Sequence, residues 1–165
     1  MQIDFVTELF TLAKEKGVNT CLDTAGNPFT REEPFYSKFE KLMEVTDLFM
    51  LDIKEIDEDE HKQLTGQTNK NILDMATCLS DHGKAMWIRH VLVPGITDDD
   101  GQLHRLRAFI DTLKTVERVE ILPYHTLGVF KWKELGIPYA LEEVEPPTKE
   151  QVEHAREIII PGYKS

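Results

Sequence analysis

Four strand-like runs, each followed by a helical pattern, constrain this chain more than anything else in it. The runs occupy residues 18–24 (VNTCLDT), 47–54 (DLFMLDIK), 84–93 (KAMWIRHVLV) and 118–125 (RVEILPYH). Strands separated by helices pair in parallel through right-handed crossovers, so all four carboxyl ends meet at one edge. Each run ends in a different ionisable cluster: Asp23 with Thr24, Asp52 with Lys54, Arg89, and His125. That edge is where open α/β sheets and βα barrels hold their ligands. Two acids, two bases and a histidine converging there point to an anionic or zwitterionic ligand.

The helical patterns complete the order. Phe5, Val6, Leu9, Phe10 and Ala13 form one stripe, with Asp4 as the expected N-cap and Gly17 as the stop. Tyr36, Phe39, Leu42 and Met43 mark a second helix. Ile72, Leu73, Ala76 and Leu79 mark a third, capped by Asn69 and ended by Gly83. A fourth runs from about Asp98 to Lys114. Residues 126–147 read as a long loop with one helical turn near Lys131 to Leu135, and Thr148 with Gln151 forms a capping box for a last helix. This is βα alternation that opens on a helix. Apolar character on both faces of the runs predicts a sheet covered on both sides, yet four strands cannot close a barrel. The expected fold is α/β, a partial parallel βα barrel of about four strands with outer helices, in one domain spanning residues 1–165.

A net charge of -11 and a pI near 5.0 argue against nucleic-acid binding, which needs a concentrated basic face. No apolar run approaches the length of a membrane span, and no signal-peptide pattern stands at the amino terminus. A cytoplasmic protein is expected. Cys21 and Cys78 read as small buried apolar residues in a reducing compartment.

Period two divides DLFMLDIK into a packing face with Phe49, Leu51 and Ile53 and a polar ladder with Met50, Asp52 and Lys54. A carboxylate and a lysine two residues apart require compensation from a ligand, an ion or one another. An internal Asp52–Lys54 pair is one reading, and a Schiff-base lysine is another. Asp23 serves equally as a ligand or as a turn residue before Gly26, Asn27 and Pro28. Arg89, on an apolar strand and in phase with Trp87 and Val91, calls for an anionic partner. The acids at 57–60 beside His61, and those at 98–100, read as helix starts. His82, His104 and His154 fall on helices with no partner in sight.

Residues 20–24 (TCLDT), 47–54, 87–95 (WIRHVLVPG) and 122–125 (LPYH) resemble the pyruvate formate-lyase activating enzymes. Residues 128–133, 135–139 (LGIPY) and the Pro146-Pro147 pair continue the resemblance over nearly the whole chain. It implies a radical S-adenosylmethionine enzyme, in which a 4Fe-4S cluster cleaves the cofactor reductively and the resulting deoxyadenosyl radical takes a glycine hydrogen from pyruvate formate-lyase, a glycyl-radical enzyme. An electron donor is a further implied partner. Carried over by position, the resemblance implies that Lys54, Arg89 and His125 contact S-adenosylmethionine, while Asp23, Thr24, the Met50 carbonyl and Asp52 surround a monovalent cation.

The family's Cys-x-x-x-Cys-x-x-Cys loop and its Gly-Gly-Glu-Pro motif have no counterpart here, and two cysteines cannot form a thiolate triad. The expectation is therefore the carboxyl-terminal part of an activating enzyme, inactive alone, with the cluster held only in the complete protein. Self-association through an exposed sheet edge is expected as well. The competing readings are a non-catalytic nucleotide- or partner-binding module and a half-barrel lyase using Lys54 as a Schiff base.

Overall fold

Helix α1 (Ile3–Glu15) turns Ile3 into the core and lays Val6 and Phe10 against it, an i, i+3, i+7 line. The computed structural model describes residues 2–164; Met1 and Ser165, the ends of the expected domain, lie outside the described residues. The buried line of α1 differs from the expected stripe, because Phe5 and Leu9 stand exposed together with Leu12. The helix meets α2 (Phe35–Glu44) along one side, so only the residues on that side are covered. Asp4 is not the cap. It lies inside the first turn, no side chain bonds the helix start, and its carboxylate pairs with Lys38 of α2 at 2.6 Å.

Strands β1 (Cys21–Thr24), β2 (Leu48–Asp52), β3 (Met86–Leu92) and β4 (Val116–Pro123) form one parallel sheet in sequence order, as the alternation predicts. Helices α3 (Glu58–Thr65) and α4 (Lys70–Asp81) carry the chain from β2 to β3, and α5 (Asp100–Ile110) carries it from β3 to β4. A short α6 (Val129–Glu134) interrupts the long segment after β4, and α7 (Lys149–Ile159) follows it. The molecule is thus a section of βα barrel wall.

The expectation of a sheet covered on both sides is corrected. Along β3 the residues alternate strictly between buried and half-buried, and β2 does the same. Phe49, Leu51, Met86, Ile88, Leu92, Val119 and Ile121 face the helices and form the core with Phe39, Leu42, Leu79, Leu103 and Ile110. The opposite face, with Met50, Asp52, Trp87, Arg89 and Val91, stays partly open. Apolar letters on that face, Trp87 and Val91 among them, misled the reading: Trp87 lies against the Arg118 guanidinium, 4.8 Å from its ring centre, rather than under a helix.

The caps show which local signals survive folding. Asp57 accepts from the backbone N–H groups of Asp59 and Glu60, Asp99 accepts from Gln102, and Thr148 with Gln151 closes a full capping box. Asn69 occupies the N-cap position of α4 but does not cap it; its amide donates to the carbonyls of Glu55 and Ile56. At the far end, Arg107 donates to the carbonyls of Ile159 and Pro161 and so satisfies the end of α7.

Candidate functional site

Parallel register sets the site. It aligns Asp23 with Met50 and Asp52 with Arg89, so side chains of one phase on three neighbouring strands share the open face near their carboxyl ends. Arg89 lies between the two acids. Its Nε and Nη2 both reach Asp52 Oδ1 at 2.9 Å, and Nη2 also donates to Asp23. The second Asp52 oxygen accepts from Lys54 Nζ at 3.2 Å. Arg89 and Asp52 are largely covered, at 16% and 18% side-chain exposure, whereas Lys54 and Asp23 reach further into solvent at 37% and 55%. Burial works against the Arg89 charge, but the Asp52 and Asp23 carboxylates outweigh it and hold the guanidinium above its usual range.

Four of the five ionisable residues that the strand ends promised, Asp23, Asp52, Lys54 and Arg89, are therefore in contact. The anionic partner of Arg89 is internal, and the Asp52–Lys54 pair exists. Asp23 is not the turn residue; Thr24 is, accepting from Gly26 N–H at 3.0 Å. Met50 is half-buried between Asp23 and Trp87. His125 follows β4 at the same edge and is exposed, with no hydrogen bond joining it to the four among the described residues. An ammonium paired with a carboxylate is the opposite of the desolvated amine that Schiff-base chemistry uses.

Neither thiol is placed for a cluster. Cys78 is buried on α4, where burial pushes its thiol up, against a weaker opposing bond from the Tyr36 hydroxyl. Cys21 is exposed on β1, contrary to the expectation of burial, because β1 is an outer strand of the sheet and pairs only with β2 among the described residues. What burial it has, and then the Asp23 carboxylate, push that thiol up as well, with Arg89 opposing. Iron–sulfur clusters are held by several cysteine thiolates together, and the two here stand on separate elements. Among the described residues no three His, Cys, Asp or Glu side chains group as metal ligands.

The roles of three supporting residues escaped the sequence reading. His90 is buried at 2% exposure, with Nδ1 3.0 Å from the Ile53 carbonyl and Nε2 2.9 Å from the Thr97 carbonyl. It anchors the backbone between Asp52 and Lys54 to the turn after β3. Its signal was available, since a histidine in phase with Ile88 and Leu92 belongs to the packed face. His61 is buried too; its Nδ1 meets the Gln67 carbonyl at 2.8 Å, and its Nε2 has no partner among the described residues. His61 and Lys54 line one cavity of about 210 Å³, with Asn27 and Gln67. The third is Gly26, at φ +73°, where a β-carbon would stand 3.1 Å from Ile72 Cγ2 and 3.2 Å from Leu51 Cδ1. Only glycine fits that approach.

Other expectations need adjusting. His154 and His82 do have partners: His154 Nε2 lies 2.8 Å from Asp100, and His82 Nδ1 lies 2.8 Å from the Cys78 carbonyl one turn back. No described helix is long and apolar enough to cross a membrane.

Known proteins give the arrangement a context. The sequence pattern of the radical SAM superfamily matches residues 1–106. The chain is 57% identical over 159 residues to the pyruvate formate-lyase-activating enzyme of Streptococcus mutans, covering 96% of this chain and 60% of that one. It is 50% identical over 159 residues to the enzyme of the same name from Listeria monocytogenes, covering 96% and 64%. The chain thus spans less than two thirds of the length of these relatives. A solved domain of a pyruvate-formate lyase-activating enzyme from Bacteroides vulgatus superposes with a TM-score of 0.78 at 18% identity, covering 99% of this chain and 89% of that one; at that identity the likeness concerns the fold.

Proposed function

Because this chain belongs to the radical SAM superfamily, we propose that it is the cofactor-holding part of a pyruvate formate-lyase-activating enzyme, working in the cytoplasm on a glycyl-radical enzyme partner. The observation that carries this reading is the ion-pair chain Asp23–Arg89–Asp52–Lys54 on the open face of the sheet. A zwitterionic ligand with a carboxylate needs fixed cationic donors beside fixed acceptors, and this chain supplies both within one register.

Lys54, Arg89 and His125 would hold S-adenosylmethionine. When bound and reduced by one electron, the cofactor supplies the group that abstracts a glycine hydrogen. The protein's share is positional. Asp52 holds Lys54 and Arg89 on its two oxygens and fixes their spacing, and His90 fixes the backbone from which Asp52 and Lys54 project. Asp23, Asp52, the Thr24 hydroxyl and the Met50 carbonyl offer only oxygen donors, which suits a hard monovalent cation. Such an ion would take over the charge balance that Arg89 now provides and leave the guanidinium to the cofactor carboxylate.

The two thiols do not fit a 4Fe-4S cluster, so no step through one is assigned to these residues. We infer that the 165 residues alone bind the cofactor weakly and do not cleave it, and that an electron donor and cluster ligands lie outside them. The outer edge of β1, which has no partner strand among the described residues, also favours association with a second copy.

Calorimetric titration with S-adenosylmethionine tests the assignment. Charge-assisted hydrogen bonds contribute roughly 1.5–3 kcal/mol each, and a few of them barely exceed the freedom lost on association. A millimolar dissociation constant is expected, abolished by Lys54→Ala and by Arg89→Ala. Micromolar affinity unchanged by both substitutions would place the cofactor elsewhere.

A further inference from the structure

Beyond the ion-pair chain, the carboxyl edge of the sheet holds a second cavity of about 800 Å³ between the segments that follow β2, β3 and β4. Its walls carry Glu55, Glu60, Asp98 and Asp99, and among the described residues no lysine, arginine or histidine lines it. Asp98 and Asp99 already accept backbone N–H groups, from Gly95 at 2.7 Å and from Gln102 at 3.0 Å. Glu55 differs. It is 1% exposed, its Oε1 accepts from Asp57 N–H at 2.9 Å, and its Oε2 has no partner among the described residues. A buried carboxylate oxygen left without a donor is costly, and the cost falls when a cationic donor reaches it.

The donors that could reach it differ in size and shape. Among the described residues no three acidic, histidine or cysteine side chains group tightly enough to ligate a metal. The cavity also exposes Leu64, Ile96 and Leu141 beside the acids, and these give a bare inorganic ion nothing. They suit an aliphatic stem. A cationic head on such a stem would place its charge at Glu55 and Glu60 and its methylenes along the apolar wall.

We propose that this cavity is a binding site for a guanidinium or alkylammonium group carried on an aliphatic stem, with Glu55 Oε2 as its buried acceptor. The site is separate from Lys54 and Arg89. It can therefore be measured without S-adenosylmethionine, and its outcome does not depend on the cofactor assignment.

The test is an amide-shift titration of the 165-residue chain by NMR. N-acetylarginine amide is expected to shift the amides of Glu55, Ile96 and Gln102 with a millimolar dissociation constant. The neutral, nearly isosteric N-acetylcitrulline amide should bind at least tenfold more weakly. Glu55→Gln should erase the preference for arginine; Glu60→Gln, at an exposed position of α3, should reduce it at least twofold and serves where the buried variant does not fold. Agmatine separates the sources. Tighter binding of the capped amino acid identifies a polypeptide side chain, tighter binding of agmatine a free amine, and either outcome supports the class of ligand. Equal binding of arginine and citrulline, a preference that survives in a folded Glu55→Gln or is undiminished in Glu60→Gln, or displacement by potassium at equal concentration would overturn the proposal.

Discussion

Asp52 accepts from Arg89 on one oxygen and from Lys54 on the other, so Asp52→Asn leaves two cations facing each other without their common partner. The pair with Arg89 is mostly covered, and loss of one member of a covered pair costs more than loss of a surface pair. A destabilisation of roughly 1–3 kcal/mol is expected from the urea midpoint; an unchanged midpoint would show that the geometry does not depend on this carboxylate. Gly26→Ala should cost a similar amount, roughly 1–3 kcal/mol, since it combines a left-handed backbone with contacts that Ile72 cannot easily yield. The cation reading has its own readout. Potassium or sodium at ten times its dissociation constant should add about 1.4 kcal/mol, seen as a raised melting temperature that Asp23→Asn abolishes. A melting curve that ignores both ions rejects that site. Asp23, Asp52, Lys54 and Arg89 were legible in the sequence because period two assigns each of them a face. Glu55, His61 and Gly26 were not, since their roles depend on neighbours contributed by distant segments.

At the scale of elements, local chemistry was read well where one segment decides it and poorly where two do. Thr148 and Gln151 form their capping box as the motif predicts, and Thr148→Ala should remove about 1 kcal/mol of stability. Thr148→Ser should retain most of it, and equal losses for both would mean that the cap is not the cause. The phase of α1, by contrast, depends on which side α2 approaches, and no pattern within residues 4–16 specifies that. Asn69 illustrates the same limit: its residue type favours capping, but the carbonyls of Glu55 and Ile56 compete for its amide and win. The sheet order followed from alternation alone, because short crossovers leave few other topologies. Single-sided cover did not, since an apolar residue against a guanidinium and one under a helix are the same letter. The edge strands also differ. Val119 N–H donates to the Lys164 carbonyl at 3.0 Å and so shields the far side of β4, while β1 pairs only with β2 among the described residues.

For the molecule as a whole, that difference predicts self-association. Phe5, Leu9, Leu12 and Val18 are exposed at 60%, 49%, 51% and 54%, which adds apolar surface to an unpaired edge. Sedimentation velocity should show the average mass rising with concentration, and a constant monomer mass across the range would reject it. Acid should unfold the chain by a traceable route. Lys14 and the Thr20 backbone hold Asp47 below the ordinary carboxylate range, Arg105 and the Glu60 N–H do so for Asp57, and Lys62 with Lys70 pushes Glu58 down to about 2. A depressed folded pKa contributes stability above the unfolded value, and that stability is lost as pH falls through the folded one. The urea midpoint should therefore decline from about pH 4.5 toward pH 2. Protonation also relieves the repulsion of a net charge of -11. That effect is long-range and screened at ordinary salt, whereas these pairs stand at 2.6–2.9 Å; a midpoint that rises with acid would reverse this ranking.

The one-sided sheet has a consequence for inheritance. Along β3, every second residue belongs to the core, and the residues between belong to the open face. A lineage can therefore rewrite Trp87 or Val91 without disturbing Ile88 or Leu92, and can repack Ile88 or Leu92 without touching the open face; Arg89 and His90, tied to Asp52 and to the Ile53 carbonyl, are the exceptions. The two faces share one strand but accumulate most of their mutations separately.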